Sequence, residues 1–110
     1  MEFVIDNDLW QVEYVRPNNH VLMRSDKIYT LGVTDANRHK IFISNAISDA
    51  LLLKVLTHEL CHAFCITYNV YLPLEEEELL CDFVATYGRD ILELADYLFM
   101  IMNWRNYYAR

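Results

Sequence analysis

Two histidines and one glutamate in a short segment have the types and spacing to do chemistry. The segment VLTHELCHAF, residues 55–64, places His58 and His62 four residues apart, with Glu59 directly after the first histidine. On a helix, residues four apart lie one turn apart and point the same way. Two imidazoles on one face can bind one zinc ion, at about 2.0–2.1 Å each. The spacing therefore predicts that His58 and His62 are zinc ligands.

Glu59 has a different predicted role. It lies about 100° around the helix from His58, which keeps it near the metal without making it a natural ligand. A general base needs that position, close to an activated water and free to take its proton. The alternative is a surface helix with two histidines by chance. The apolar flanks LLLKVL and AF argue against it, because buried histidines without partners are costly.

A catalytic zinc site also needs a third protein ligand and an open coordination position. The other two histidines, His20 and His39, both precede the motif, and none follows His62. A ligand from the downstream part of the chain must therefore be an acid or a cysteine.

The segment EELLCDFVATYG, residues 77–88, offers such a ligand. On a helix, Glu78, Asp82 and Ala85 share one stripe, while apolar side chains occupy the opposite stripe. We predict Glu78 as the third ligand and Asp82, one turn on, as the acceptor of a ligand imidazole N–H. Glu77 is the main alternative ligand, and Cys81 is a weaker one that would give the site a structural character.

The elements that must position these residues are strands first and helices later. Alternating β-branched and aromatic residues predict strands over residues 9–15, 27–33 and 40–44. Helical spacing of apolar residues begins after Ser48, a suitable N-cap, and continues to Phe64. This order predicts an α+β fold, with a small N-terminal antiparallel or mixed sheet followed by three helices, the first of which carries His58 and His62.

The second and third helices are predicted on either side of a glycine. Pro73 fits the first turn of a helix over Leu74–Tyr87, and Gly88 is a natural C-terminal stop. The third helix, over about residues 90–104, has apolar residues along one side: Ile91, Leu94, Leu98 and Ile101. Core packing is the favoured role for this side, and a dimer face or a partner surface is the alternative.

Composition limits the class of protein. The 110 residues fit a single domain over residues 1–110, and 55% hydrophobic content can fill a core. The net charge of −7 argues against nucleic-acid binding. An acidic N-terminus and the lack of a long uninterrupted apolar run predict a cytoplasmic protein without a membrane span. Three cysteines, an odd number, argue against a disulfide framework and for buried thiols.

With HELCH followed by Glu78 and Asp82, the sequence resembles the gluzincin metallopeptidases. More closely, it resembles the ImmA/IrrE-type metallopeptidases of bacteria and their mobile elements, and the single-domain minigluzincins. In the ImmA/IrrE pattern the second helix carries Glu, then Ala-Asn, then Phe-Ala. Here Cys81 stands for the alanine and Asp82 for the asparagine, and the phenylalanine is displaced by one position. The resemblance covers about residues 27–87.

The resemblance implies a zinc-dependent peptidase whose substrate is a protein, such as a repressor or another regulatory protein. KIFIS, residues 40–44, is expected to be an edge strand that holds the substrate, and Tyr68, Tyr71 and Tyr87 are candidate donors to the oxyanion. Residues 1–19 could cover the site. The alternative functions are a non-catalytic metal-binding interaction protein of a prophage or mobile element, and a structural zinc domain.

Overall fold

A four-stranded mixed sheet and two α-helices form the fold. The structure, a computed structural model, describes the backbone of residues 1–108 and the side chains of residues 1–106. The elements in chain order are β1 (Glu2–Ile5), β2 (Asp8–Val15), a short 3₁₀ turn (His20–Leu22), β3 (Gly32–Asp35), β4 (Lys40–Ser44), α1 (Asp49–Thr67) and α2 (Leu74–Tyr108). The sheet precedes the helices, as the sequence predicts.

The strands lie in the order β1-β2-β4-β3. β1 and β3 pair antiparallel with their neighbours, whereas β2 and β4 run parallel. β4 is therefore an inner strand, which explains why four of its five residues are buried. The prediction that KIFIS is an edge strand is wrong, because β3 takes that place beside α1. The core lies between the sheet and α1, and its buried members are Ile5, Trp10, Ile41, Ile43 and Ala63.

The predicted strand over residues 27–33 is mostly irregular backbone. Lys27 has a positive φ of 70°, which an extended strand excludes. The backbone N–H of Arg24 donates to the carbonyl of Ile28, and an isolated bridge joins Met23 to Tyr29. The regular strand β3 begins only at Gly32.

The helix α1, which carries His58 and His62, begins where the sequence predicts. Ser48 is extended, and its carbonyl accepts the backbone N–H of Leu52, although its side chain caps nothing. Near the other end of α1, Trp10 Nε1 donates to Thr67 Oγ1 at 3.2 Å and ties the helix to the sheet. By length and composition α1 could cross a membrane, but core helices of soluble proteins pass the same test.

α2 is one continuous helix of 35 residues, so the prediction of three helices is wrong. Gly88 lies inside it and has no positive φ. A glycine ends a helix by entering the left-handed region, whereas a helical glycine costs only about 1 kcal/mol relative to alanine. Helix-forming residues on both sides outweigh that cost. The side chains beyond Gly88 are mostly exposed, so the favoured core role of this region is also wrong.

Gly32 allows β3 to lie directly against α1. A Cβ at this position would lie 2.8 Å from Val55 Cγ1 and 3.0 Å from Glu59 Cγ. Both distances are closer than ordinary van der Waals contact, so a side chain would push the edge strand away from the helix.

We predict that Gly32→Ala lowers the free energy of unfolding by about 1–3 kcal/mol through overpacking. Gly88→Ala is the matched control, because its Cβ would meet the side chain of half-buried Val84 at 3.3 Å. It should raise stability by about 0.5–1 kcal/mol through helix propensity. Urea denaturation followed by circular dichroism measures both. Equal effects of the two substitutions would contradict the close approach at Gly32.

Candidate metal centre

Two helices bring together two imidazoles and one carboxylate. His58 and His62 project from α1, and Glu78 projects from the second turn of α2. The Nε2 atoms of His58 and His62 are 3.2 Å apart. Glu78 Oε1 lies 2.8 Å from His62 Nε2, and Glu78 Oε2 lies 3.3 Å from His58 Nε2. The three side chains therefore converge on one point.

These separations suit a metal ion. Ligand atoms at about 2.0–2.1 Å from a tetrahedral zinc ion lie about 3.3 Å from one another. The group of His58, His62 and Glu78 could hold a metal ion, since its ligand atoms all lie within 4.8 Å of one another. The geometry of this group alone does not identify which metal ion it would bind. Two nitrogens and one carboxylate oxygen form a donor set that zinc accepts.

Each histidine has its own carboxylate partner on α2. Asp82 Oδ1 lies 2.8 Å from Nδ1 of His58, and Glu77 Oε2 lies 2.7 Å from Nδ1 of His62. An ionised carboxylate can only accept a hydrogen bond, so it holds the imidazole proton on Nδ1. Nε2 is then left with its lone pair toward the shared point. Glu77, the alternative third ligand, thus lies on the far nitrogen of His62.

Glu59 is buried beside these ligands, with 6% of its surface exposed. Thr34 Oγ1 on β3 lies 2.9 Å from Glu59 Oε1 and 3.0 Å from the Glu59 carbonyl oxygen. Burial raises the pKa of Glu59, while the bond from Thr34 and the nearby histidines oppose this effect. The carboxyl group is thus fixed in place and partly withdrawn from water.

The contact between α1 and α2 is made by small residues. Cys81 and Ala85 are buried on the side of α2 that faces α1. The thiols of Cys65 and Cys81 are also buried, and burial raises the pKa of each. Within the described part of the chain, no cysteine sulfur joins the ligand group. The thiols therefore pack between the helices.

The ligand group opens into a cleft of about 480 Å³. Besides the ligands and Glu59, the cleft is lined by β3 and by Arg24 and Thr30 of the preceding turn. No residue from 1–19 is among those that line it. Of the candidate oxyanion donors, Tyr71 is 85% exposed, and Tyr68 and Tyr87 also lie at the surface. Arg24 lines the cleft, and its guanidinium pairs with Asp26 at 3.2 Å.

Sequence reasoning did not place Thr34 and Arg24 at the cleft, or Glu77 on the far nitrogen of His62. Thr34 and Arg24 belong to segments far from the motif in the chain, and no spacing rule joins them to it. The position of Glu77 in the sequence did indicate a role, because an acid next to Glu78 can reach a ligand histidine, here His62.

Comparisons with protein-family models, curated proteins and solved structures found no match to this chain. The resemblance to gluzincins therefore rests on the motif residues alone. The arrangement of His58, His62 and Glu78 is an independent observation, because it follows from the packing of two helices.

We predict that the purified protein binds one divalent metal ion per chain and that Glu78→Gln loses most of it. Glu77→Gln and Asp82→Asn each remove a partner of a ligand histidine, and should weaken metal binding by about 10–100-fold. Glu76→Gln is the matched control, because Glu76 is an exposed acid of the same turn. Elemental mass spectrometry and chelator competition measure these effects. Equal metal content in Glu78→Gln and Glu76→Gln would contradict the proposed ligand.

Proposed function

We propose that this protein is a zinc-dependent peptidase. The observation that carries the proposal is a buried carboxylate, Glu59, beside a His-His-Glu metal group at an open cleft. A bound zinc ion supplies Lewis acidity, which polarises a peptide carbonyl and acidifies a water. His58, His62 and Glu78 would hold the ion, at a place that borders the cleft.

Glu59 acts as the proton carrier of the reaction. Its carboxylate takes a proton from the attacking water and delivers it to the nitrogen of the leaving amine. The hydrogen bond from Thr34 orients the carboxylate, which saves the entropy of fixing it during the reaction. Burial raises the pKa of Glu59 above that of a free glutamate, which makes its carboxylate a stronger base for the proton of the attacking water.

The edge strand β3 is the proposed binding site for the peptide substrate. It borders the cleft and lies against α1 through Gly32. An extended peptide can pair with an exposed sheet edge through backbone hydrogen bonds, without a fixed sequence. A peptide added to β3 would pass in front of the ligand group. The substrate is thus an extended segment of a protein, and a regulatory protein with a flexible linker fits this requirement.

The alternative is a metal-binding interaction protein of a prophage or mobile element without catalysis. Such a protein needs metal ligands, but it has no use for a buried and oriented acid in the cleft. Burying a carboxylate costs free energy unless it is compensated. The bond from Thr34 meets part of that cost, which favours a catalytic role for Glu59.

We predict that the zinc-loaded protein cleaves peptides in a proteome-derived peptide mixture, read by mass spectrometry of new termini. Glu59→Gln should lower the cleavage rate by about 10²–10⁴-fold, because the amide cannot accept the proton. The zinc content of the variant should stay unchanged, since Glu59 is not a ligand. Glu13→Gln is the matched control, because this exposed acid of β2 is outside the cleft.

Two results would contradict the peptidase proposal. One is full cleavage by Glu59→Gln, which would mean a contaminating protease or a different base. The other is a wild-type protein that holds zinc and cleaves neither this mixture nor unfolded proteins. That second result would support the metal-binding interaction protein.

A further inference from the structure

A regular apolar stripe runs along α2 and begins one turn after Glu77. Its members alternate in spacing between three and four residues: Val84, Tyr87, Ile91, Leu94, Leu98 and Ile101. Leu80 extends the same pattern by one position toward the N-terminus. Apolar residues at this average period of 3.5 are typical of the seam of a coiled coil. We call this set, with Leu80, the α2 seam.

The α2 seam is exposed from Tyr87 to Leu98, whereas Val84 and Ile101 are half-buried. Ile91, Leu94 and Leu98 are 49%, 57% and 46% exposed. At about 100° per residue, the seam from Tyr87 to Ile101 lies about 140° around α2 from the buried pair Cys81 and Ala85, which face α1. Packing on α1 and pairing through the seam therefore use different sides of one helix.

The size of the uncovered surface matches what a dimer buries. The accessible surface is 8407 Å², whereas a compact chain of 13.1 kDa exposes about 6,400 Å². The radius of gyration is 17.4 Å, against about 13 Å for a compact domain of this length. The excess surface of about 2,000 Å² per chain, or about 4,000 Å² for two copies, is in the range of total area that permanent homodimers bury.

The residues beside the seam favour a second copy of this chain as the partner. Flanking positions in a coiled coil set partner choice, and like charges there repel. Here they are mostly apolar or small, with Phe83, Gly88, Ala95 and Tyr97 among them, and Asp90 is the exception. The acids Glu93 and Asp96 lie toward the other side of the helix. Two copies can therefore approach along the seam despite a net charge of −7 on each.

We propose that the protein is a homodimer in which the α2 seams of two copies pack as a two-stranded coiled coil. A two-fold axis makes one patch complementary to itself, so a single stripe is sufficient. The metal groups lie outside this interface, because Glu78 projects from the side of α2 that faces α1. The dimer thus holds two clefts with independent access to substrate.

The test is the mass of the full-length protein in solution, by light scattering and sedimentation from low to high micromolar concentration. The wild type should have twice the 13.1 kDa of one chain. Leu98→Asp places a charge in the seam and should raise the dimer dissociation constant by at least about 100-fold. Leu92→Asp is the matched control, because this exposed leucine lies about 120° around the same helix, in line with Ala85, and should leave the dimer intact.

A monomeric wild type at high micromolar concentration would overturn the proposal, as would a stable mass above that of a dimer. Equal weakening by Leu92→Asp and Leu98→Asp would overturn the assignment of the seam. Circular dichroism of each variant verifies folding. Both leucines are exposed on the monomer, so their substitution should not unfold it. The zinc content is measured in parallel. A dimer that holds no zinc would contradict the metal group alone and leave the dimer proposal intact.

Discussion

The close packing of α2 on α1 is the constraint on which the candidate site depends. The ligand histidines belong to one helix and all three partner carboxylates to the other, so the site exists only while the helices stay in register. Cys81 and Ala85 allow this approach because both are small and buried. A bulkier residue at either position would separate Glu78 from the histidines. The sheet contributes by holding α1 from its other side.

Interactions between carboxylates of α2 and imidazoles of α1 accompany this packing. Glu77, Glu78 and Asp82 bring three carboxylates to two imidazoles, in a region that is partly withdrawn from water. Two of the carboxylates are compensated by N–H groups of His58 and His62. The third, Glu78, faces the Nε2 atoms, which are left as acceptors by the Nδ1 bonds. Acceptors that converge without a donor repel one another, and a cation between them removes that repulsion.

The local parts of the fold and site were accessible from sequence, and the long-range parts were not. The period of α1, its start after Ser48 and the convergence of His58, His62 and Glu78 follow from helical spacing. The order of strands depends on which edges pair across the sheet, and KIFIS carries no mark of an inner position. Lys27 carries no sign of its positive φ. Gly88 shows that a glycine ends a helix only where leaving the helical conformation stabilises the chain.

Thr34 and Arg24 show a second limit. Their place in the cleft arises because β3 and the turn before it fold across α1, a contact that spans about 25 residues of chain for Thr34. Periodicity reports which face of an element is apolar, and it says nothing about which distant element covers that face. The seam of α2 illustrates the same limit, since its regular pattern identified an apolar side without saying whether that side packs within one chain.

The helices that supply the ligands are joined by a short connection, residues 68–73, and a metal ion between them would act as a cross-link. It would bind the folded chain and not the unfolded one, and a ligand at 100 times its dissociation constant adds about 2.7 kcal/mol to stability. That is a large fraction of the margin that keeps a small domain folded. The lifetime of this protein in a cell would then follow the local supply of the metal, so that scarcity removes the chain itself as well as its chemistry.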